Sequence, residues 1–401
     1  MHSKTIFAAA IVAGFGYAQD TNLTVALASN QNLTALASLL QQYPDFTAQL
    51  ANRTNVTIFA PSNNALQSML QSNSTSATNV TDADIEALLN YHVLRDEYTS
   101  DNFTTQPTFA ATWLNDTAYT NVTGGQVVEL RQVNGSAIIY SGLGNNATVT
   151  TPDVTYDNGV VHIIDAVLTI PPTIDVIARG RLDDLYEALG AADLLSAVVD
   201  TPDVTIFAPN NNAFTAIGSA LGNLSSDALA DILTYHVTNQ SIFYSTTLTG
   251  NDSVTMLDGV NATVTISDEG AICINQACVT VADVLIANGV AHVIDSVLNP
   301  NNTEAAPSTN DTAAVGFDGA TSSSLTLPPP SGAPTSIASA GAGLTSEETN
   351  PAAGYTTTPT QAGENPAAAT SSASDPAGRI AIPTGAVGAA ALFGAGAYMA
   401  F

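Results

Sequence analysis

The chain turns on the stretch Thr57-Ile-Phe-Ala-Pro-Ser-Asn-Asn-Ala-Leu66, which returns as Thr205-Ile-Phe-Ala-Pro-Asn-Asn-Asn-Ala-Phe214. In each copy the β-branched and aromatic run Thr-Ile-Phe suits a half-buried strand. Pro61 or Pro209 ends that strand, because proline has no N–H to give a ladder. Ser62 or Asn210 then stands where a side-chain oxygen caps the first turn of a helix. The segment predicts a strand-to-helix corner, and a corner used twice in one chain predicts a repeated domain.

Two further blocks repeat in the same order. Asp84–Val93 and Ala228–Val237 place apolar residues at helical spacing and run into Tyr91-His92 and Tyr235-His236. Asp153–Leu168 and Asp283–Leu298 each contain an Asn-Gly pair, Asn158-Gly159 or Asn288-Gly289, where positive φ is tolerated in a turn. A strand carrying His162 or His292 follows. Between these blocks, 126–140 and 262–281 alternate as strands do. The offsets between copies are 148 (205−57), 144 (235−91) and 130 (283−153), so the first repeat holds extra loop, chiefly between Tyr98 and Gly125. Pro171-Pro172 leaves a link of only a few residues, which predicts a semi-rigid pair.

Composition bounds the function. The chain has 401 residues, a formal net charge of −28, and seven Lys plus Arg, with Lys4 the sole lysine. Such an acidic surface repels phosphate backbones and anionic lipid heads, which argues against a nucleic-acid partner. Residues 1–18 read as a secretory signal: Lys4, an apolar run from Thr5 to Phe15, then small residues at the cleavage positions. Export gives meaning to the N-glycosylation sequons at Asn22, Asn32, Asn52, Asn55, Asn73, Asn79, Asn102, Asn115, Asn121, Asn134, Asn146, Asn223, Asn239, Asn251, Asn261, Asn301 and Asn310. Cys273 and Cys278 are the only cysteines. A two-residue hairpin at Asn275-Gln276 sets them opposite each other, and export favours a disulfide over two buried thiols.

The three ordered blocks resemble the fasciclin domain family: a "TxFAPxxxAF" corner, a helix leading to "YH", and an "NGxxHxID" strand. The resemblance covers roughly Asp20 to Pro300. It implies an α+β fold of two tandem fasciclin-like domains, 19–171 and 172–300, each a small twisted β-wedge with helices packed around it. A disordered stalk follows over 301–378, where Ser, Thr, Pro, Ala and Gly leave nothing to bury. Residues 379–401 read as a hydrophobic glycolipid-anchor (GPI) signal with attachment expected at Ser372; a membrane span is the rival reading, but no Lys or Arg follows it. Together these features resemble a fungal-type glycolipid-anchored surface glycoprotein.

No GxSxG elbow, HExxH or P-loop occurs in the sequence. No catalytic, cofactor or metal residue is expected. His92, His236, His162 and His292 sit at matched apolar positions and read as buried, hydrogen-bonded imidazoles; Asp165 and Asp295 read as backbone hydrogen-bonders near a strand end. In animal fasciclin-domain matrix proteins a Tyr-His segment and an Asp-Ile pair are implicated in integrin binding. The resemblance carries those roles onto Tyr91, His92, Tyr235 and His236, and onto Asp153-Val154 and Asp283-Val284, where valine replaces isoleucine. The implied function is adhesion or organisation of a cell wall or matrix. Expected partners are wall polysaccharide, matrix or cell-surface glycoproteins, or the chain itself, with the membrane reached through the glycolipid. The alternatives are a vacuolar or secretory-pathway membrane protein in membrane fusion or autophagy, and a carbohydrate-binding or carbohydrate-active wall protein.

Overall fold

The computed structural model describes residues 23–28, 30–72, 80–222, 224–239, 241–268, 270–304, 316–324 and 327. The expected signal peptide, Ser372, the terminal apolar segment and most of the stalk lie outside them. Among the described residues no helix is long and apolar enough to cross a membrane.

The first domain contains helices α1 (Leu23–Ala28), α2 (Thr34–Leu40), α3 (Pro44–Ala51), α4 (Asn63–Ser72) and α5 (Asp82–Tyr91). Its strands are β1 (Val56–Pro61), β2 (Val93–Leu94), β3 (Thr108–Ala111), β4 (Val127–Val133), β5 (Ser136–Tyr140), β6 (Asn146–Tyr156) and β7 (Gly159–Ile164). The second domain has helices α6 (Ile174–Arg181), α7 (Asp183–Ala191), α8 (Leu195–Asp200), α9 (Asn211–Ala216), α10 (Gly218–Leu221) and α11 (Ser226–Thr234). Its strands are β8 (Val204–Pro209), β9 (Val237–Thr238), β10 (Ser253–Thr255), β11 (Asn261–Ile266), β12 (Ile272–Ile274), β13 (Ala277–Ile286) and β14 (Gly289–Ile294). Each domain forms one seven-stranded sheet, ordered β2-β1-β7-β6-β5-β4-β3 and β10-β11-β12-β13-β14-β8-β9.

The corner strand is buried throughout, not half-buried as its composition suggests. It lies inside the sheet, parallel to β7 or β14 on one side and antiparallel to β2 or β9 on the other. Its two faces then serve two cores. Ile58 joins the helical layer with Leu36, Phe46 and Ile85, while Phe59 joins the β layer with Tyr91, Leu130 and Ile139. Ile206 and Phe207 divide in the same way. Burying each phenylalanine contributes about 2–3 kcal/mol. The predicted caps form: Ala65 N–H donates to Ser62 Oγ at 3.2 Å, and Ala213 N–H to Asn210 Oδ1 at 2.8 Å.

The third block differs from its prediction. Tyr156 pairs with Gly159 and Ile286 with Gly289, so the hairpin turns are Asp157-Asn158 and Ala287-Asn288, and each glycine is the first residue of a strand. Asn158 and Asn288 do not take positive φ. The glycines answer a steric demand: a Cβ at Gly159 would lie 2.0 Å from Val56 O, and one at Gly289 1.9 Å from Val204 O. At the predicted hairpin, Cys273 and Cys278 are paired across β12 and β13 and joined by a disulfide.

The extra loop of the first repeat grips the second domain. Asn121 N–H donates to Ala287 O at 2.8 Å, Thr120 Oγ1 to the same oxygen at 2.9 Å, and Gln126 Nε2 to Ile286 O at 3.1 Å. Thr123 N–H reaches Asp203 Oδ1 at 2.7 Å. Phe109 and Tyr244 stack across the boundary with ring centroids 3.9 Å apart. Leu143 packs on the second domain's helical core from a backbone at φ 63°, ψ 12°, a conformation that is strained for a bulky side chain.

The near end of the expected stalk packs against the second domain. Phe317, Ala320 and Leu327 pack on the second domain's core, Ser323 N–H donates to Thr215 O at 3.0 Å, and Ser219 N–H to Thr321 O at 3.2 Å. Three apolar residues in a Ser-rich stretch give too weak a pattern for composition to reveal.

Candidate functional site

The residues assigned to adhesion by resemblance fall mostly in the interior. Tyr91 and Tyr235 are both 0 % exposed. Their hydroxyls donate to Val127 O and Asn261 O, each at 3.0 Å, tying the helix end to the β layer. His92 and His236 follow as buried ring donors and acceptors. His92 Nδ1–H donates to Leu88 O at 2.8 Å and Nε2 accepts from Leu168 N–H at 3.0 Å. His236 does the same with Ile232 O and Leu298 N–H, both at 2.8 Å. Both nitrogens are used in the neutral form, so each ring needs one tautomer. Burial lowers both pKa values to about 4, against the backbone carbonyl that pulls upward.

Asp153 and Asp283 occupy bulges, where the register of β6 against β7 and of β13 against β14 shifts. Their φ values of 56° and 59° suit aspartate better than most side chains. The turned carboxylates accept from Ser100 N–H at 2.9 Å and Ser245 N–H at 2.8 Å, and each also takes its serine hydroxyl in a short hydrogen bond. The backbone N–H of each aspartate donates to the adjacent histidine, Asp153 to His162 Nδ1 and Asp283 to His292 Nδ1, at 3.3 Å. His162 Nε2–H and His292 Nε2–H close the circuit on Tyr98 O and Phe243 O, each at 2.7 Å. Val154 and Val284 are half-buried against the helical cores. The bulge and the Tyr-His helix end therefore pin the sheet to its loops. Asp165 and Asp295 accept from Thr148 N–H and Cys278 N–H, as read from the sequence.

Among the described residues, no three His, Cys, Asp or Glu side chains group as metal ligands. The large concavities lie between the domains. One, of about 450 Å³, is bounded by Thr117–Asn121 and Ile170–Thr173. The other, of about 420 Å³, lies beside Leu143 and is lined by Ile174, Ile177, Val284 and Val293, with Asp283 at its wall. Sequence reasoning missed these interdomain residues; its one signal was the longer offset of the first repeat.

The sequons separate by exposure. Eleven of their asparagines are exposed: Asn32, Asn52, Asn55, Asn102, Asn115, Asn134, Asn146, Asn239, Asn251, Asn261 and Asn301. Asn22, Asn73, Asn79, Asn223 and Asn310 lie outside the residues whose side chains are described. Asn121 differs from all of these. It is half-buried, and its Nδ2, the atom a glycan would take, donates to Asp200 O of the second domain at 2.9 Å. A sugar there competes with the interdomain contact.

The fasciclin domain pattern matches residues 31–171 and 180–300, and the chain belongs to the fasciclin domain family. A fasciclin-like arabinogalactan protein of Arthroderma benhamiae is 34 % identical over 287 residues, spanning 69 % of this chain and 66 % of that protein. A fasciclin-like arabinogalactan protein of Cercospora beticola is 31 % identical over 308 residues, 73 % of this chain and 81 % of that one. Human periostin is 33 % identical over 153 residues, 36 % of this chain and 18 % of periostin. A solved FAS1 domain pair of the insect cell adhesion molecule Fasciclin I covers 66 % of this chain and 95 % of its own, at 23 % identity and a TM-score of 0.32.

Proposed function

We propose that the chain is an exported cell-surface glycoprotein of adhesion type, tethered to the outer face of the plasma membrane by a C-terminal glycolipid. The observation that supports this reading is the placement of sequons: ten exposed asparagines spread over two fasciclin domains, with Asn301 exposed just beyond them. The names of the two fungal relatives, both arabinogalactan proteins, support it. Since Tyr91, His92, Tyr235 and His236 are interior, contact with a partner falls to the outer surface and the interdomain clefts. Each contact is weak, and many copies on one surface supply strength through effective concentration. Wall polysaccharide, matrix or surface glycoproteins, and further copies of the chain are the partners this arrangement fits. Cells producing the full chain should release it on treatment with a phosphatidylinositol-specific lipase. Retention of the chain after complete cleavage of a control anchored protein contradicts the tether.

A further inference from the structure

Arg53, Arg95 and Trp113 come from three separate segments of the first domain and meet at one half-exposed place. The Arg53 guanidinium carbon lies 4.0 Å from the Trp113 ring centroid and that of Arg95 5.1 Å from it. Among the described residues neither arginine has an ion-pair partner; the two ion pairs found belong to Arg131 and Arg179. Arg95 Nε–H donates to Thr112 O at 2.8 Å. Arg53 Nη1 and Trp113 Nε1 are buried donors with no acceptor. Burial, and then the neighbouring Arg95 charge, lower the Arg53 pKa. Leaving a charged donor buried and unpaired is costly. Here the cost arises in a chain with 35 acidic residues and seven basic ones, where carboxylate partners are plentiful.

The second domain serves as an internal control. At the offsets of the repeated blocks, Arg53 corresponds to Thr201 (53+148), Arg95 to Asn239 (95+144) and Trp113 to Leu257 (113+144). The frames coincide, for Trp113 N–H donates to Val93 O at 2.8 Å and Leu257 N–H to Val237 O at 2.7 Å. The fold therefore forms without either arginine or the indole.

We propose that Arg53, Arg95 and Trp113 bind a carboxylate presented by another molecule, of the kind carried by uronic-acid saccharides. Both unpartnered buried groups at the site, Arg53 Nη1 and Trp113 Nε1, are donors, and planar guanidinium matches a planar carboxylate in two-point contact. The saccharide part of the assignment rests on the surface-glycoprotein reading; the carboxylate part does not. Trp113 is the only tryptophan in the chain, so its emission reports the site directly.

The test titrates the purified full chain with a galacturonic acid trisaccharide, a neutral galactose trisaccharide, inorganic phosphate and sulfate. The expected result is a saturable change in emission with the acidic trisaccharide alone. Its affinity should fall at least tenfold in Arg53→Gln and in Arg95→Gln, with unfolding midpoints recorded for both, and should weaken as salt is raised. Absence of a saturable change, unchanged affinity in a folded variant, or tighter binding of phosphate or sulfate overturns the proposal. Weak binding of acetate, titrated alongside, beside tight binding of the trisaccharide supports the saccharide source, whereas equal binding refutes it. None of these outcomes depends on whether a lipase releases the chain from cells.

Discussion

Gly289→Ala should destabilise the second domain by about 3 kcal/mol or more, near the upper end of what overpacking costs. Gly289 sits opposite Val204 in the parallel ladder of β14 and β8, and Val204 N–H donates to Asn288 O at 3.0 Å. The added Cβ would stand 1.9 Å from Val204 O, 2.9 Å from its carbonyl carbon and 3.0 Å from its nitrogen. Those are backbone atoms of the corner strand, so no rotamer change relieves the contact. The strands must part at the seam that holds the two cores together. Gly159→Ala should act alike in the first domain, where the distance to Val56 O is 2.0 Å. Gly180→Ala is the control. Nothing lies within 4 Å of a Cβ there, and Gly180 is inside α6, where alanine gains about 0.5–1 kcal/mol. Urea unfolding monitored by circular dichroism measures all three. A cost below about 1 kcal/mol for Gly289→Ala would refute the close-approach account, since ordinary surface substitutions fall within that range.

Acid should unfold the domains through their histidines. His92 and His236 have folded pKa values of about 4, against an ordinary value of 6.5. Between those limits the unfolded chain takes up protons that the folded chain refuses, so folding weakens as pH falls. The contribution is complete above pH about 6.5 and is lost progressively towards pH about 4, amounting to about 3 kcal/mol for each histidine. His162, also lowered by burial, adds the same sign in the first domain. Asp84 and Asp153, lowered in the folded state by their hydrogen bonds despite burial, withdraw further stability there as pH falls below the carboxylate range. In the second domain burial raises Asp184, Glu187 and Asp258, which favour the folded form as they protonate. Asp252, lowered by its hydrogen bonds from Thr249, opposes these three, so the second domain's carboxylates partly offset one another and the first domain should fail at a higher pH than the second. His236→Gln should lower stability at pH 7.5 and flatten the second domain's dependence between pH 6.5 and 4. An unchanged slope in that variant contradicts the assignment of the proton uptake to His236.

How much of this was legible depends on how local each signal is. The Pro61 and Pro209 corners, the Ser62 and Asn210 caps, the Cys273–Cys278 hairpin and the interior histidines each rest on a few consecutive residues, and all are present. The Asn-Gly turns slipped by one residue because the reason for glycine lies on another strand, at Val56 or Val204. Full burial of Thr57 and Thr205 was likewise hidden, for composition does not say that a strand is central. Each threonine hydroxyl is satisfied by a distant loop, Thr57 donating to Asp96 O and accepting from Tyr98 N–H. The interdomain grip joins Asn121 and Gln126 to residues more than 150 positions away, so no periodicity reveals it. Arg53, Arg95 and Trp113 are invisible as a group for the same reason: only the folded sheet brings them together.

The most direct measurement is the adhesion of living cells displaying the full chain, recorded as the fraction retained under flow on surfaces coated with wall polysaccharide or with purified copies of the chain. Retention is compared before and after treatment with a phosphatidylinositol-specific lipase. Display at the outer face through a glycolipid predicts strong retention that falls at least tenfold once the lipase has shed the chain into the medium. Retention that persists undiminished after the chain has been shed contradicts an adhesive role at the surface.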